Sequence, residues 1–110
     1  MDIAVNNNQD VTIFKLQGSL DSNTSPDFEE KILESIGGGA NKLVVDFEKL
    51  DYVSSAGLRV LNKAYKKLKH SDGKIILCSM QDYIREVFEI AGFDYFIPIV
   101  GNVDDAIAKF

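Results

Sequence analysis

The chain has 110 residues, enough for one domain around one core and too few for two. Its composition, 45% hydrophobic and 26% charged, is that of a folded globular protein and excludes a disordered one. The net charge of −5 argues against nucleic acid as a direct partner, because phosphate contacts need concentrated Lys and Arg, and no apolar run approaches the ~18 residues of a membrane span.

In chain order, Ile3 and Val5 alternate with polar residues, and Asn6 to Asp10 supply turn chemistry. Val11 to Leu16 then form a second strand, apolar on both faces, so the two most simply make an antiparallel pair whose second member is central and ends at Gly18. Pro26 is expected as the first residue of a helix capped by Ser25, with Phe28, Ile32, Leu33 and Ile36 as its apolar stripe. Gly37-Gly38-Gly39 stops that helix. It precedes a strand, whereas a phosphate-binding loop follows one, so it reads as a linker. Lys42 to Phe47 is a third, covered strand, with Asp46 at its end either capping a local turn or helping to place the residues that follow. A second helix is expected from about Ala56 to His70, with Leu58, Leu61, Ala64, Tyr65 and Leu68 facing the core. Arg59, Lys63, Lys66, Lys67 and Lys69 lie mostly on its other side; with Lys74 they are half of the chain's twelve basic residues. Such a run is either a solvated face or a docking surface.

Ser71-Asp72-Gly73 makes a turn into a fourth strand, Lys74 to Ser79, where the single cysteine, Cys78, is a core residue with no partner for a disulfide or a metal cluster. Asp82 can cap a third helix with Ile84, Val87, Phe88 and Ala91 inward, closed by Gly92. Phe93, Tyr95, Phe96, Ile97 and Ile99 form a dense apolar segment that Pro98 confines to a sheet edge. Asp104 to Lys109 is a short terminal helix. The order predicts one α/β domain over residues 1–110, with a mixed, mainly parallel sheet of four to five strands and about four helices. The N-terminal residues have no basic region followed by an apolar stretch, so no signal peptide and no membrane insertion are expected, and the location expected is cytoplasmic.

Chemistry concentrates at Asp51-Tyr52-Val53-Ser54-Ser55-Ala56-Gly57-Leu58-Arg59, where a strand gives way to a helix. Two hydroxyls stand at that junction. One can cap the helix while the other fills the turn, or the free amides and partial positive charge of the helix start can hold a phosphate. No HExxH, Walker loop, GxSxG elbow or Cys/His ligand spacing is present, so no catalytic residue, cofactor or metal is assigned. A triad of Ser55 with His70, the only histidine, fails on distance: fifteen helical residues at ~1.5 Å each separate them by about 22 Å.

Val53-Ser54-Ser55-Ala56-Gly57-Leu58-Arg59-Val60-Leu61 resembles the signature of STAS domains, specifically the bacterial anti-sigma factor antagonists. Gly18-Ser19-Leu20-Asp21 and the Ser/Thr-rich turn after it resemble the family's exit from the second strand. The resemblance spans essentially the whole chain and implies a STAS fold. It places a phosphorylation site on Ser55, two residues before Gly57-Leu58, with Ser54 as second choice because many members carry Asp directly before the serine. It further implies a partner-binding surface of Asp21, Ser22, Val53, Ser54, Ser55, Ala56, Gly57, Leu58 and Arg59, supported by Asp46. The partners implied are an anti-sigma factor that is also a serine-protein kinase, and a serine phosphatase. On this view the protein is no enzyme: it binds the anti-sigma factor, releases a sigma factor, and is switched off by phosphorylation. The alternative is an unphosphorylated STAS interaction module or a subunit of a membrane transport complex.

Overall fold

A computed structural model describes all 110 residues, Met1 to Phe110. Five strands form one sheet in the order of the sequence: β1 (Asp2–Asn8), β2 (Val11–Leu20), β3 (Lys42–Val53), β4 (Lys74–Cys78) and β5 (Ile99–Val100). β1 and β2 are antiparallel and every later pair is parallel. Parallel neighbours need a crossover, and crossovers are right-handed. Because each new strand adds on the same side of the last, the crossover helices fall on one face: α1 (Ser25–Gly37), α2 (Ser55–His70) and α3 (Asp82–Ile90). The last helix, α4 (Val103–Ile107), follows β5 and packs on the other face. The mixed, mainly parallel sheet and the helix count are those expected from the element order.

Alternation along the strands divides the core accordingly. Leu43, Val45 and Phe47 of β3 join Phe14, Leu16 and Leu20 of β2 under the crossover helices, while Val44 joins Val11, Ile13, Ile76 and Cys78 under Ala106 of α4. Phe14, Phe28, Phe47 and Phe88 are wholly buried. Phe14 meets Phe28 edge-on at 6.3 Å, and Phe47 meets Phe88 at 5.5 Å, a geometry that suits the ring quadrupoles. Cys78 is buried as expected, and burial pushes its thiol up to about 11, which leaves it protonated and unreactive near neutrality.

Several boundaries differ from the expected ones. Gly18 does not end β2: its φ of +106° is taken up where the β2–β3 register shifts, and the strand runs on to Leu20. β3 likewise continues past Phe47, because Lys49, Leu50, Tyr52 and Val53 pair with Gln17, Gly18, Ser19 and Leu20. Asn6 to Asn8 belong to β1, and the turn is Gln9-Asp10 alone, with Gln9 in the left-handed region at φ 58°. Ser25, Ser55 and Asp82 are first residues of their helices rather than positions outside them, α2 beginning one residue before Ala56. α2 is rotated slightly from its predicted stripe, so Gly57 and Val60 are buried while Leu58 and Tyr65 are half-buried. Ala91 is exposed, and the apolar segment after α3 yields only a short 3-10 turn, Phe93–Tyr95, and the two-residue β5, leaving Tyr95 89% and Phe96 39% exposed. α4 begins one residue early, at Val103, because Asn102 caps it by accepting from the Asp105 amide at 2.8 Å.

Candidate functional site

The extended β2 and β3 end side by side, at Leu20 and Val53. In a parallel sheet with crossover helices the carboxyl ends of the strands face the loops that can vary, and ligands are met there. Here that edge carries the Leu20–Asp21 exit and the Val53–Ser54–Ser55 entry into α2. The Ser54 amide donates to the Leu20 carbonyl at 2.9 Å, which ties the two together one residue from Asp21. Gly57 lets the helix sit this close. A Cβ there would lie 2.7 Å from Leu20 Cγ and 3.1 Å from Val53 Cγ2, so any side chain would force Leu20 or α2 to shift.

The turn after β2 is built around Asp21. Its carboxylate accepts from the amides of Asn23 at 2.9 Å and Thr24 at 3.1 Å, and those bonds hold its carboxyl below the usual carboxylate range. The Thr24 hydroxyl donates to the Ser19 carbonyl at 2.8 Å and accepts from the Asp21 amide at 2.9 Å. The recurrent acid of the resemblance is thus a turn-builder. Ser25 follows as the first residue of α1, 3% exposed, with its hydroxyl unpartnered.

The two serines at the α2 start differ. Ser54 is the N-cap in extended conformation, yet its hydroxyl makes no capping bond and is buried without a partner. Ser55 is exposed. No acidic residue occupies the first turn of α2. Beside it runs an open groove of about 290 Å³ between the starts of α1 and α2, lined by Ser22, Ser25, Pro26, Glu29, Ala56, Arg59 and Val60. Lys63 reaches across to Glu29 at 3.3 Å.

Of the residues expected to form the partner surface, Ser22, Ser55 and Arg59 are exposed, and Asp21, Ser54, Ala56 and Leu58 are half-buried. Val53 and Gly57 are buried and serve the packing that presents the others. Asp46 does not join them. It pairs in register with Cys78, on the face away from the crossover helices, and its carboxylate accepts from the Glu48 amide at 3.0 Å within β3, where the β2–β3 register shifts, rather than capping a turn. That face holds a second groove, of about 350 Å³, lined among others by Lys15, Asp46, Glu48 and Lys49, with charges of both signs and no hydroxyl or thiol. Ser25, Pro26 and Glu29 were missed as groove residues because their helical spacing reads only as a helix start. No three His, Cys, Asp or Glu side chains gather as a metal set, and no side chain bonds the Ser54 hydroxyl. What the edge offers is an exposed hydroxyl on a rigid helix start.

The STAS domain family model matches residues 2–106. BtrV of Bordetella bronchiseptica, named as a candidate anti-sigma factor antagonist, is 37% identical over 95 residues, which cover 86% of this chain and 82% of that one. An anti-sigma-B factor antagonist of Staphylococcus aureus is 31% identical over 78 residues, 71% of this chain and 72% of its own. Among solved structures, a candidate anti-sigma factor antagonist of Thermotoga maritima superposes with a TM-score of 0.93 at 18% identity, covering 97% of this chain and 92% of that one, a likeness of fold. No helix is long and apolar enough to cross a membrane. The chain belongs to the STAS domain family, among relatives named anti-sigma factor antagonists.

Proposed function

We propose that this protein is an anti-sigma factor antagonist that works as a switchable protein ligand in the cytoplasm. Unmodified, it binds an anti-sigma factor through the edge formed by Asp21, Ser22 and the start of α2, and so frees a sigma factor. The anti-sigma factor is also a serine kinase that transfers the terminal phosphoryl group of ATP to Ser55. A bond forms between the Ser55 oxygen and phosphorus, the bond to the ADP oxygen breaks, and the hydroxyl proton leaves. A phosphatase hydrolyses the ester and resets the protein.

The observation that carries this reading is the contrast within the serine pair. Ser55 is exposed on the first residue of a helix with no acid in its first turn, whereas the Ser54 hydroxyl is enclosed. A kinase must surround its acceptor, which favours Ser55. A phosphate adds about −1.5 to −2 charges at pH 7, and at a helix N-terminus that charge is accommodated, so the domain stays folded. In a docked interface the same charge meets desolvation, and each ~1.4 kcal/mol lost weakens binding tenfold. Half-buried Ala56 and Leu58 beside Ser55 give the unmodified surface its apolar character.

The test mixes the protein with the anti-sigma kinases of its own genome and measures affinity for wild type, Ser55→Ala and Ser55→Asp. Ser55→Ala should bind and resist phosphorylation, and Ser55→Asp should bind at least tenfold more weakly. Equal affinity of Ser55→Asp and wild type for every partner would end the charge-switch reading. It would leave the unphosphorylated interaction module or transport-complex subunit, which the serine in place of Asp before Ser55 also fits.

A further inference from the structure

Arg59 lies four residues after Ser55 on α2, so the two side chains are neighbours on one helix face, with about 5–6 Å between their Cβ atoms. It is exposed and belongs to none of the chain's ion pairs, which are Lys31–Asp27, Lys42–Asp10, Lys63–Glu29 and Arg85–Glu89. The next cation along the helix, Lys63, is already held by Glu29. Arg59 borders the groove at the α1–α2 junction with Ala56, the residue after Ser55, and with Ser22 and Ser25. Ser25, 3% exposed, has an unpartnered hydroxyl, so that groove has unused hydrogen-bonding capacity.

We infer that Arg59 is the internal counter-charge of the Ser55 phosphate, a role that rests on Ser55 being the modified residue. A guanidinium presents a planar fork that matches phosphate oxygens, which a lysine ammonium does not. Of the acids on the adjoining turn and helix, Asp21 has its carboxylate bonded into its own turn and Glu29, which lines the same groove as Arg59, is paired with Lys63. Arg59, one turn from Ser55 on the same helix, has no carboxylate partner of its own. In the unmodified protein it is free to meet a carboxylate of the docking partner. In the phosphorylated protein it is occupied. Modification then acts twice on the complex: it brings negative charge into the interface and withdraws a positive one from it.

The test installs phosphoserine at position 55 during translation, in the wild-type background and with Arg59→Gln or Arg59→Lys, and follows the phosphate by phosphorus NMR between about pH 4 and pH 8. An adjacent cation favours the doubly charged phosphate, whose second ionisation is ordinarily near pH 6. The ionisation constant should be about three- to tenfold larger in the wild-type background than with Arg59→Gln, and Arg59→Lys should recover part of the difference. Equal midpoints in all three would overturn the proposal. No kinase or partner enters this titration, so its outcome is separate from that of the binding test. A partner that rejects Ser55→Asp while the midpoints coincide removes Arg59's role and leaves the switch standing. Displaced midpoints with no discriminating partner do the reverse.

Discussion

Ser54→Ala separates what a serine does at a helix start in general from what this one does. An N-cap serine that bonds the helix amides is worth about 0.5–2 kcal/mol, and its loss to alanine is destabilising. Ser54 occupies the N-cap, with φ −104° and ψ 174°, but its hydroxyl makes no such bond and is buried with no partner. A buried, unsatisfied hydroxyl costs about 1–3 kcal/mol. Alanine keeps the Cβ and removes only the oxygen, leaving a gap smaller than a methyl group. The expected result is a gain of about 1 kcal/mol, near the low end of that range because the residue as a whole is only half-buried. For a domain of this size the melting temperature should rise by about 4 °C. Urea denaturation with an unchanged m-value is the assay. Asn102→Ala is the control: Asn102 does cap its helix, at 2.8 Å, and its replacement should lose about 1 kcal/mol. A loss of 0.5 kcal/mol or more in Ser54→Ala, of order the smallest capping effect, would refute the reasoning by showing that the hydroxyl is bonded in solution.

Two further predictions concern the same edge. Gly57→Ala gains about 1 kcal/mol of helix propensity but places a Cβ 2.7 Å from the wholly buried Leu20, where overpacking costs about 1–3 kcal/mol. A net loss of about 1 kcal/mol in urea denaturation is expected, and a net gain would show that α2 can lift from β2 freely. Asp21 has a folded-state pKa below its unfolded one, so its contribution to stability is fully present above about pH 4 and is lost as pH falls through the lowered value. Asp21→Asn should therefore melt closer to wild type at the acid end than near neutrality, and parallel melting curves from pH 6 to pH 2 would contradict this.

The fold was largely legible because its signals are local. The alternation of Ile3 and Val5, the mostly apolar β3 segment and the 3.6-residue periods between them define an α/β order, and right-handed crossovers leave little freedom in joining it. What could not be read is non-local. Glu48 to Asp51 look like a loop, and become strand only because Gln17 to Leu20 lie alongside with matching hydrogen-bonding groups. Whether Leu58 or Val60 faces the core is a rotation of less than one residue about the α2 axis, decided by Gly57 seated against Leu20. The candidate site follows the same division. The position of the serine pair at a strand-to-helix junction was visible, but which hydroxyl reaches solvent depends on the Ser54 amide being drawn to Leu20. Asp46 shows the converse: it is near the serines in sequence, and strand alternation turns it to the opposite face.

That Ser54 stands where many family members have Asp has a consequence for the switch proposed above. An aspartate directly before Ser55 would set a carboxylate beside the phosphate, and like charges that close disfavour the doubly ionised form. Here the preceding side chain is neutral and enclosed, the first turn of α2 has no acid, and a free guanidinium lies one turn on. On the proposed switch, the free domain would carry the phosphate at little electrostatic cost. Almost all of the penalty falls on the complex, where the phosphate must be desolvated and Arg59 is no longer available. A switch of the proposed form would change affinity without changing the fold, because β3, the Gly57 contact and the Asp21 turn that position Ser55 make no use of its hydroxyl.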